Sequence, residues 1–89
     1  MKFNNGYEFR TVCGTGVLAE TGRAAVDMRR LISLNDSAAF LYRTFMDREF
    51  EESDLSSSLV AEYGIDADTA ARDAHAFCEA LADNGILLR

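Results

Sequence analysis

The sequence predicts an α+β fold in which a three-stranded antiparallel sheet is followed by three helices. Large and polar residues alternate through the first third of the chain, whereas apolar residues after residue 35 recur at spacings of three and four. Glycines separate the extended segments, and the helical segments are bounded by polar capping residues and glycines. The last two helices are expected to form a helix-turn-helix.

The composition is typical of one small globular domain. The chain has 89 residues, of which 48% are hydrophobic and 27% charged. It contains no run of 18 apolar residues, and its first residues, Met-Lys-Phe-Asn-Asn-Gly, lack the apolar centre of a signal peptide. We therefore expect a cytoplasmic protein that does not bind membranes.

The first two strands are predicted on either side of a glycine-rich turn. Residues 7–13 follow an Asn-Asn-Gly turn signal, and residues 17–20 follow Gly14-Thr15-Gly16, which favours a hairpin because glycine adopts positive φ readily. A phosphate-binding loop would need a third glycine or Gly-Lys and would open a helix. Here the segment opens a strand, so nucleotide binding is disfavoured.

The third strand, over residues 26–34, completes an antiparallel meander and leads directly into a helix. Its apolar face carries Met28, Ile32 and Leu34. Its other face carries Asp27, Arg29, Leu31 and Ser33. Asn35 follows, and its side chain can accept a free N–H of a first helical turn. A helix is therefore predicted over residues 36–47, with a stripe formed by Ala38, Leu41, Tyr42 and Phe45.

Two further helices are predicted over residues 53–63 and 67–84. The second begins at Ser53, ends at Gly64 and should bury Leu55, Leu59 and Tyr63. The third begins at Asp66 or Asp68 and ends at Gly85, and the tail of residues 86–88 should pack back on the domain. Its core stripe is formed by Ala70, Ala74, Phe77 and Leu81.

The residue pattern contains no catalytic constellation. Cys13 and Cys78 are too few and too far apart for a disulfide framework or a metal site, and we expect small apolar thiols, with a reactive Cys78 left open. His75 has no second histidine and no nucleophile at a useful spacing. No catalytic residue, metal or cofactor is predicted.

The third helix has a second side made of small residues. These are Ala67, Ala71, Cys78 and Ala82, with His75 nearby. They either pack against the first helix or the sheet, or they leave room for a ligand. The spacing alone favours neither interpretation.

The charge distribution argues against nucleic-acid binding. Residues 1–34 carry a net charge of +2 and residues 35–89 a net charge of −8. Between residues 66 and 84, Arg72 stands against five carboxylates, so a recognition helix there would repel phosphate. A DNA-binding winged-helix regulator remains the alternative from another class, and a structural subunit of a larger enzyme is a third interpretation.

The order and spacing of several short segments resemble a known family. They include Ala25-Val26, Ile32-Ser33-Leu34-Asn35, the run from Ser37 to Tyr42, the run from Leu59 to Tyr63, and Leu81 to Leu87. Together they resemble the PqqD family of pyrroloquinoline quinone biosynthesis, which is similar to the RiPP recognition elements of peptide-modifying pathways. The chain departs from the family at Asp47-Arg48-Glu49, where a glycine is common.

The resemblance implies a winged-helix-like domain that is not an enzyme. Such a domain binds the leader of a ribosomally made precursor peptide as an added strand and presents it to a modifying enzyme, often a radical S-adenosylmethionine protein. The residues it implies for peptide binding are Asp27, Met28, Arg29, Arg30, Leu31, Ile32, Ser33, Ala71, Arg72, His75 and Cys78. The three arginines would pair with acidic leader residues. The same strand edge could accept a second copy, giving a homodimer.

Overall fold

A computed structural model describes residues 1–20 and 32–89 of the chain. Its strands are β1 (Lys2–Phe3), β2 (Tyr7–Val12), β3 (Thr15–Glu20), β4 (Ile32–Leu34) and β5 (Leu87–Leu88), and its helices are α1 (Asp36–Phe45), α2 (Glu52–Tyr63) and α3 (Ala67–Asp83). The predicted α+β arrangement is confirmed, with a three-stranded antiparallel sheet followed by three helices. Residues 26–31 of the predicted third strand lie outside the described residues.

The main sheet has the strand order β2-β3-β4, and both neighbouring pairs are antiparallel. Val12 pairs with Thr15, so the hairpin turn consists of Cys13 and Gly14, whose φ angles are 52° and 79°. A two-residue turn of this kind requires positive φ at both positions, which glycine supplies without strain. The turn is therefore shorter than predicted, and β3 begins at Thr15 rather than Val17.

A second, two-stranded sheet joins the beginning of the chain to its end, and it was not predicted. Lys2 pairs with Leu88 and Phe3 with Leu87, and the Asn4 N–H donates to the Ile86 carbonyl over 2.6 Å. Strands of two residues are too short to show alternation in a sequence. The predicted apolar tail does pack back on the domain, because Ile86 and Leu87 are buried.

The helix boundaries follow from capping interactions. The Asn35 side chain accepts a hydrogen bond from the Ala38 N–H at 2.9 Å, as predicted. Gly64, with φ of 66°, closes α2 by donating to the Val60 carbonyl. The Thr69 N–H donates to the Asp66 carboxylate, and this hydrogen bond lowers the pKa of Asp66.

The prediction of Ser53 as the cap of α2 was wrong, although the helix begins within one residue of the predicted position. The N-cap is Glu51, whose backbone N–H donates to the Asp54 carboxylate over 2.8 Å, and Ser53 lies inside the first turn. A carboxylate three residues after the cap satisfies one backbone donor at this end of the helix. Serine was the expected cap because its hydroxyl is a commoner N-cap group than the side chain of glutamate.

The core lies between the sheets and the three helices and contains most of the predicted apolar stripes. Its members include Leu18, Leu34, Leu41, Tyr42, Phe45, Leu55, Leu59, Ala70, Ala74, Phe77, Leu81 and Ile86. Tyr63 is an exception, because its side chain is 45% exposed rather than buried. Its ring packs edge-on against Phe40 at 5.7 Å and its hydroxyl donates to the Asp36 carbonyl. No helix in the described part of the chain is long and apolar enough to cross a membrane.

Candidate functional site

An open groove of about 360 Å³ lies between strand β4 and helix α3. β4 pairs with β3 on one side, and within residues 1–20 and 32–89 it has no strand on the other. The groove is lined by Ile32, Ser33, Leu34, Asn35, Ser37, Ala38, Leu41, Leu59, Asp73, Ala76, Phe77, Ala80, Leu81 and Asn84. A sheet edge and a helix face thus form two walls of one cavity.

The strand wall is held in place by its connection to α1. Leu34 is buried and Ile32 half-buried, whereas Ser33 is exposed on the opposite face, as the alternation predicted. Asn35 directly after the strand caps α1, which fixes the direction in which β4 ends. The exposed edge of such a strand carries backbone groups that can pair with an added strand.

The helix wall is formed by two alanines in front of buried apolar residues. Ala76 and Ala80 are four residues apart, so they lie on one side of α3 a single turn apart, and both are exposed. Phe77 and Leu81 are buried behind them and also line the groove. Methyl side chains on this wall leave room for large side chains of a ligand.

The rim of the groove is polar and carries one ionisable side chain among its described lining residues, Asp73. Asn35 and Asn84 are already engaged, because Asn35 caps α1 and the Asn84 side-chain amide donates to the Ala80 carbonyl over 2.7 Å. Asp73 is exposed and makes no hydrogen bond or ion pair with another described residue. Its carboxylate is therefore available to a ligand.

The structure brings only part of the predicted peptide-binding set to this groove. Ile32 and Ser33 line it, whereas Asp27, Met28, Arg29, Arg30 and Leu31 lie outside the described residues. Ala71 and Arg72 are exposed on α3 but do not line the groove. Ala71 and Ala80 are nine residues apart, about two and a half turns, and therefore lie on opposite sides of α3.

His75 and Cys78 also face away from the groove. The His75 imidazole lies 3.3 Å from the Glu52 carboxylate and 4.0 Å from that of Glu79, and it is exposed. Glu79 is also paired with Arg89, whose hydrogen bond lowers the pKa of the Glu79 carboxyl. This side of α3 is thus occupied by charged contacts within the protein.

Cys78 supports the packing interpretation of the small-residue side at its own position. Its thiol is fully buried, with Sγ lying 3.9 Å from the Met1 sulfur. Burial, assisted by the nearby Glu52 carboxylate, raises the pKa of the Cys78 thiol to about 11. A thiol in this state is a poor nucleophile at neutral pH. Cys13, in contrast, is exposed in the hairpin turn, so it does not act as a packed apolar side chain.

The two thiols should therefore differ strongly in reactivity. With an aromatic disulfide reagent at neutral pH, we expect one rapid equivalent from Cys13 and a slow second equivalent that follows unfolding. The variant Cys13→Ser should lose the rapid phase and keep the slow one. Two rapid equivalents in the native wild-type protein would contradict the buried, protonated state of Cys78.

The α3 lining residues that were not expected from the sequence to be exposed to a ligand include Asp73, Ala76, Ala80 and Asn84. Ala76 and Ala80 directly flank Phe77 and Leu81 of the core stripe, and that adjacency was the available signal. A ligand groove at the margin of a core face needs small residues next to large buried ones. Asp73 was counted in the sequence only among the five carboxylates between residues 66 and 84. In the described parts of the chain, no group of three His, Cys, Asp or Glu residues could hold a metal ion.

In the part of the chain that the structure describes, the sheet, helices and groove define a class of small α+β domains with an unpaired strand edge beside a helix. The fold is similar to that of a solved structure of lasso peptide synthetase B1 complexed with the leader peptide, with a TM-score of 0.73 and 23% identity over 99% of this chain and 96% of that chain. It is also similar to TbiB1 in complex with the TbiA(beta) leader peptide, with a TM-score of 0.74 and 20% identity over 98% and 94% of the two chains.

The sequence itself identifies the family. Residues 18–87 match the family of coenzyme PQQ synthesis protein D (PqqD), and this protein belongs to that family. The matched range begins in β3 and includes β4, all three helices and the start of β5. No curated protein sequence matches the chain.

Proposed function

We propose that this protein binds the leader segment of a ribosomally made precursor peptide as an additional strand on β4 and presents it to a separate modifying enzyme. The observation that carries the proposal is the edge of β4 beside the α3 groove, which has no strand partner within residues 1–20 and 32–89. Backbone groups of the edge would hold the peptide, and the groove would select its side chains.

The dimensions of the groove suit a short extended peptide. Its α3 wall extends from Asp73 to Asn84, about 16 Å at the helical rise per residue. An extended strand rises about 3.3 Å per residue, so about five residues would lie along this wall. Alternate side chains of that strand would point towards Ala76 and Ala80, where methyl groups leave space.

Membership of the PqqD family and the likeness to two leader-peptide complexes support this function. In those complexes the structurally similar protein is bound to a leader peptide. We propose that this chain binds a leader peptide in its own groove. A radical S-adenosylmethionine protein is the kind of modifying enzyme that the family resemblance implies as partner.

A recognition role without catalysis fits the chemistry of the groove. The described lining residues include neither histidine nor cysteine, and Asp73 is the ionisable side chain among them. A single exposed carboxylate without a proton relay or a nucleophile provides no acid–base pair. We therefore infer that covalent modification of the peptide takes place on the partner enzyme.

The structure gives no support to the DNA-binding alternative. α3 carries Arg72 against Asp68, Asp73, Glu79 and Asp83 along its length, with Asp66 at its N-cap. Affinity for duplex DNA depends on cations that neutralise phosphates. The helix that would enter a major groove has a net negative charge and would repel the DNA phosphates.

The proposal is tested by NMR titration of the labelled protein with leader peptides translated from short reading frames beside its gene. We expect saturable shifts in Ile32–Leu34 and in the amides of α3 from Asp73 to Asn84. If no such peptide shifts these amides while a neighbouring enzyme does, the protein is a structural subunit. Measurement of molecular mass over a range of concentrations detects a homodimer that competes for the same edge.

A further inference from the structure

The α3 wall of the groove carries an acidic side chain, Asp73. The sequence, in contrast, suggested that three arginines would bind acidic residues of the leader. We propose that the bound strand carries a lysine or arginine that pairs with Asp73 and, at the neighbouring alternate positions, large apolar side chains that lie over Ala76 and Ala80. This inference rests on the proposed function and specifies the class of peptide that the groove accepts.

The electrostatics of the groove favour a basic residue. Asp73 is its one charged side chain among the described lining residues, and the carboxylate has no partner within the described protein. Arg72, the cation next to it in sequence, does not line the cavity. A cationic side chain at this position gains an ion pair, whereas an acidic one meets a like charge.

The spacing of the wall gives the order of the side chains. Asp73, Ala76 and Ala80 follow one another along α3 at about 4.5 and 6 Å of helical rise. Side chains on one face of an extended strand are about 6.6 Å apart, so neighbouring positions on that face can meet consecutive members of this row. A long basic side chain can also lay its aliphatic part along the Ala76 methyl group while its charged end reaches Asp73.

Ala76 and Ala80 favour large apolar side chains of the bound peptide. Ala76 and Ala80 expose methyl groups in front of Phe77 and Leu81, so a side chain entering between strand and helix meets apolar surface. A polar side chain buried over Ala76 and Ala80 would lose its water contacts, and the Asn84 amide beside these residues already donates to the Ala80 carbonyl. The groove therefore selects a short pattern in which a basic residue and two large apolar residues alternate with solvent-facing positions.

The experiment is a selection of randomised peptides, displayed on their own messenger RNA, on four forms of the immobilised protein. These are the wild type, Asp73→Asn, Asp73→Lys and the control Asp68→Asn, which removes the same charge from an exposed position of α3 outside the groove. We expect the wild type and the control to enrich Lys or Arg beside two alternating large apolar residues. Asp73→Asn should lose the basic preference, and Asp73→Lys should replace it with Asp or Glu.

Affinities of one selected peptide then test the pairing directly. The peptide should bind Asp73→Asn about twofold to fivefold more weakly than the wild type, as for an exposed ion pair. A peptide with its basic residue replaced by methionine should bind both forms equally. Equal enrichment of basic residues by wild type and Asp73→Asn would overturn the charge preference and leave peptide binding intact. Failure of all four forms to enrich any peptide would overturn the proposed function as well.

Discussion

Replacing Ala80 with phenylalanine should strongly weaken leader binding while the protein remains folded. Ala80 is exposed, so the larger ring enters the groove rather than the core. Side chains on a helix point towards its N-terminus, which places the ring over Ala76, where the proposed peptide side chains would lie. We expect at least a tenfold loss of affinity, on the order of the burial free energy of one large apolar side chain.

The matched control is Ala71→Phe, because Ala71 is the same residue type, exposed on the same helix and on its opposite side. It should bind the leader with wild-type affinity. Both changes replace alanine by a weaker helix former, at a cost of up to about 0.7 kcal/mol each, so their unfolding curves should agree. Titration calorimetry with one leader peptide measures the affinities, and urea unfolding monitored by circular dichroism measures the stabilities.

This pair of variants also decides between the two sides of α3. The family resemblance implied a peptide site at Ala71, His75 and Cys78, whereas the groove lies beside Ala76 and Ala80. Loss of binding in Ala71→Phe with normal binding in Ala80→Phe would restore the earlier assignment. Equal losses in both would indicate that the peptide wraps around the helix or that its binding depends on the stability of α3.

Replacing Ile86 with alanine should destabilise the protein by about 2–5 kcal/mol. Ile86 is fully buried, and its N–H donates to the Leu81 carbonyl while its carbonyl accepts from Asn4. Removing its outer carbons leaves a cavity among residues that α3 and β1 hold in place. A protein of 89 residues has a total stability of about 4–13 kcal/mol, so this one change removes a large part of it.

Leu88 provides the control for that prediction. It lies two residues further along the same terminal segment, pairs with Lys2 in the β1–β5 sheet and is 44% exposed. Leu88→Ala should change the free energy of unfolding by less than about 0.5 kcal/mol, as for most surface substitutions. Urea denaturation with equal slopes for the three proteins makes the midpoints comparable. A loss below about 1 kcal/mol in Ile86→Ala would show that the cavity collapses.

The elements that could be predicted from the sequence are those in which burial imposes a regular spacing of apolar residues. Leu41, Tyr42 and Phe45 fall on one side of α1 because the core excludes water along the whole helix. Caps were predicted where the capping group is local, as at Asn35 and Gly64. The short sheet of β1 and β5 could not be predicted, because its paired residues are more than 80 residues apart in the sequence. Each strand also has only two residues, too few to show alternation of apolar and polar side chains.

The candidate site was predicted only on its strand side. Ile32 and Ser33 were identified because a strand that leads into a capped helix is visible in the sequence. The face of α3 was not, since Ala71 and Ala80 are the same residue type at equivalent exposed positions and differ only in what lies opposite them. That difference arises from the packing of α3 against α2 and the sheet, which periodicity does not report.

The pairing of β1 with β5 also has a topological consequence. Because Lys2 lies opposite Leu88 in an antiparallel pair, the first and last residues of the domain lie side by side, with Met1 held to Phe50 by two backbone hydrogen bonds. Domains whose ends meet in this way can be placed inside a loop of another protein, or cut and rejoined elsewhere, with little distortion. A recognition module of this shape could thus be inserted within a modifying enzyme as readily as fused to either of its ends.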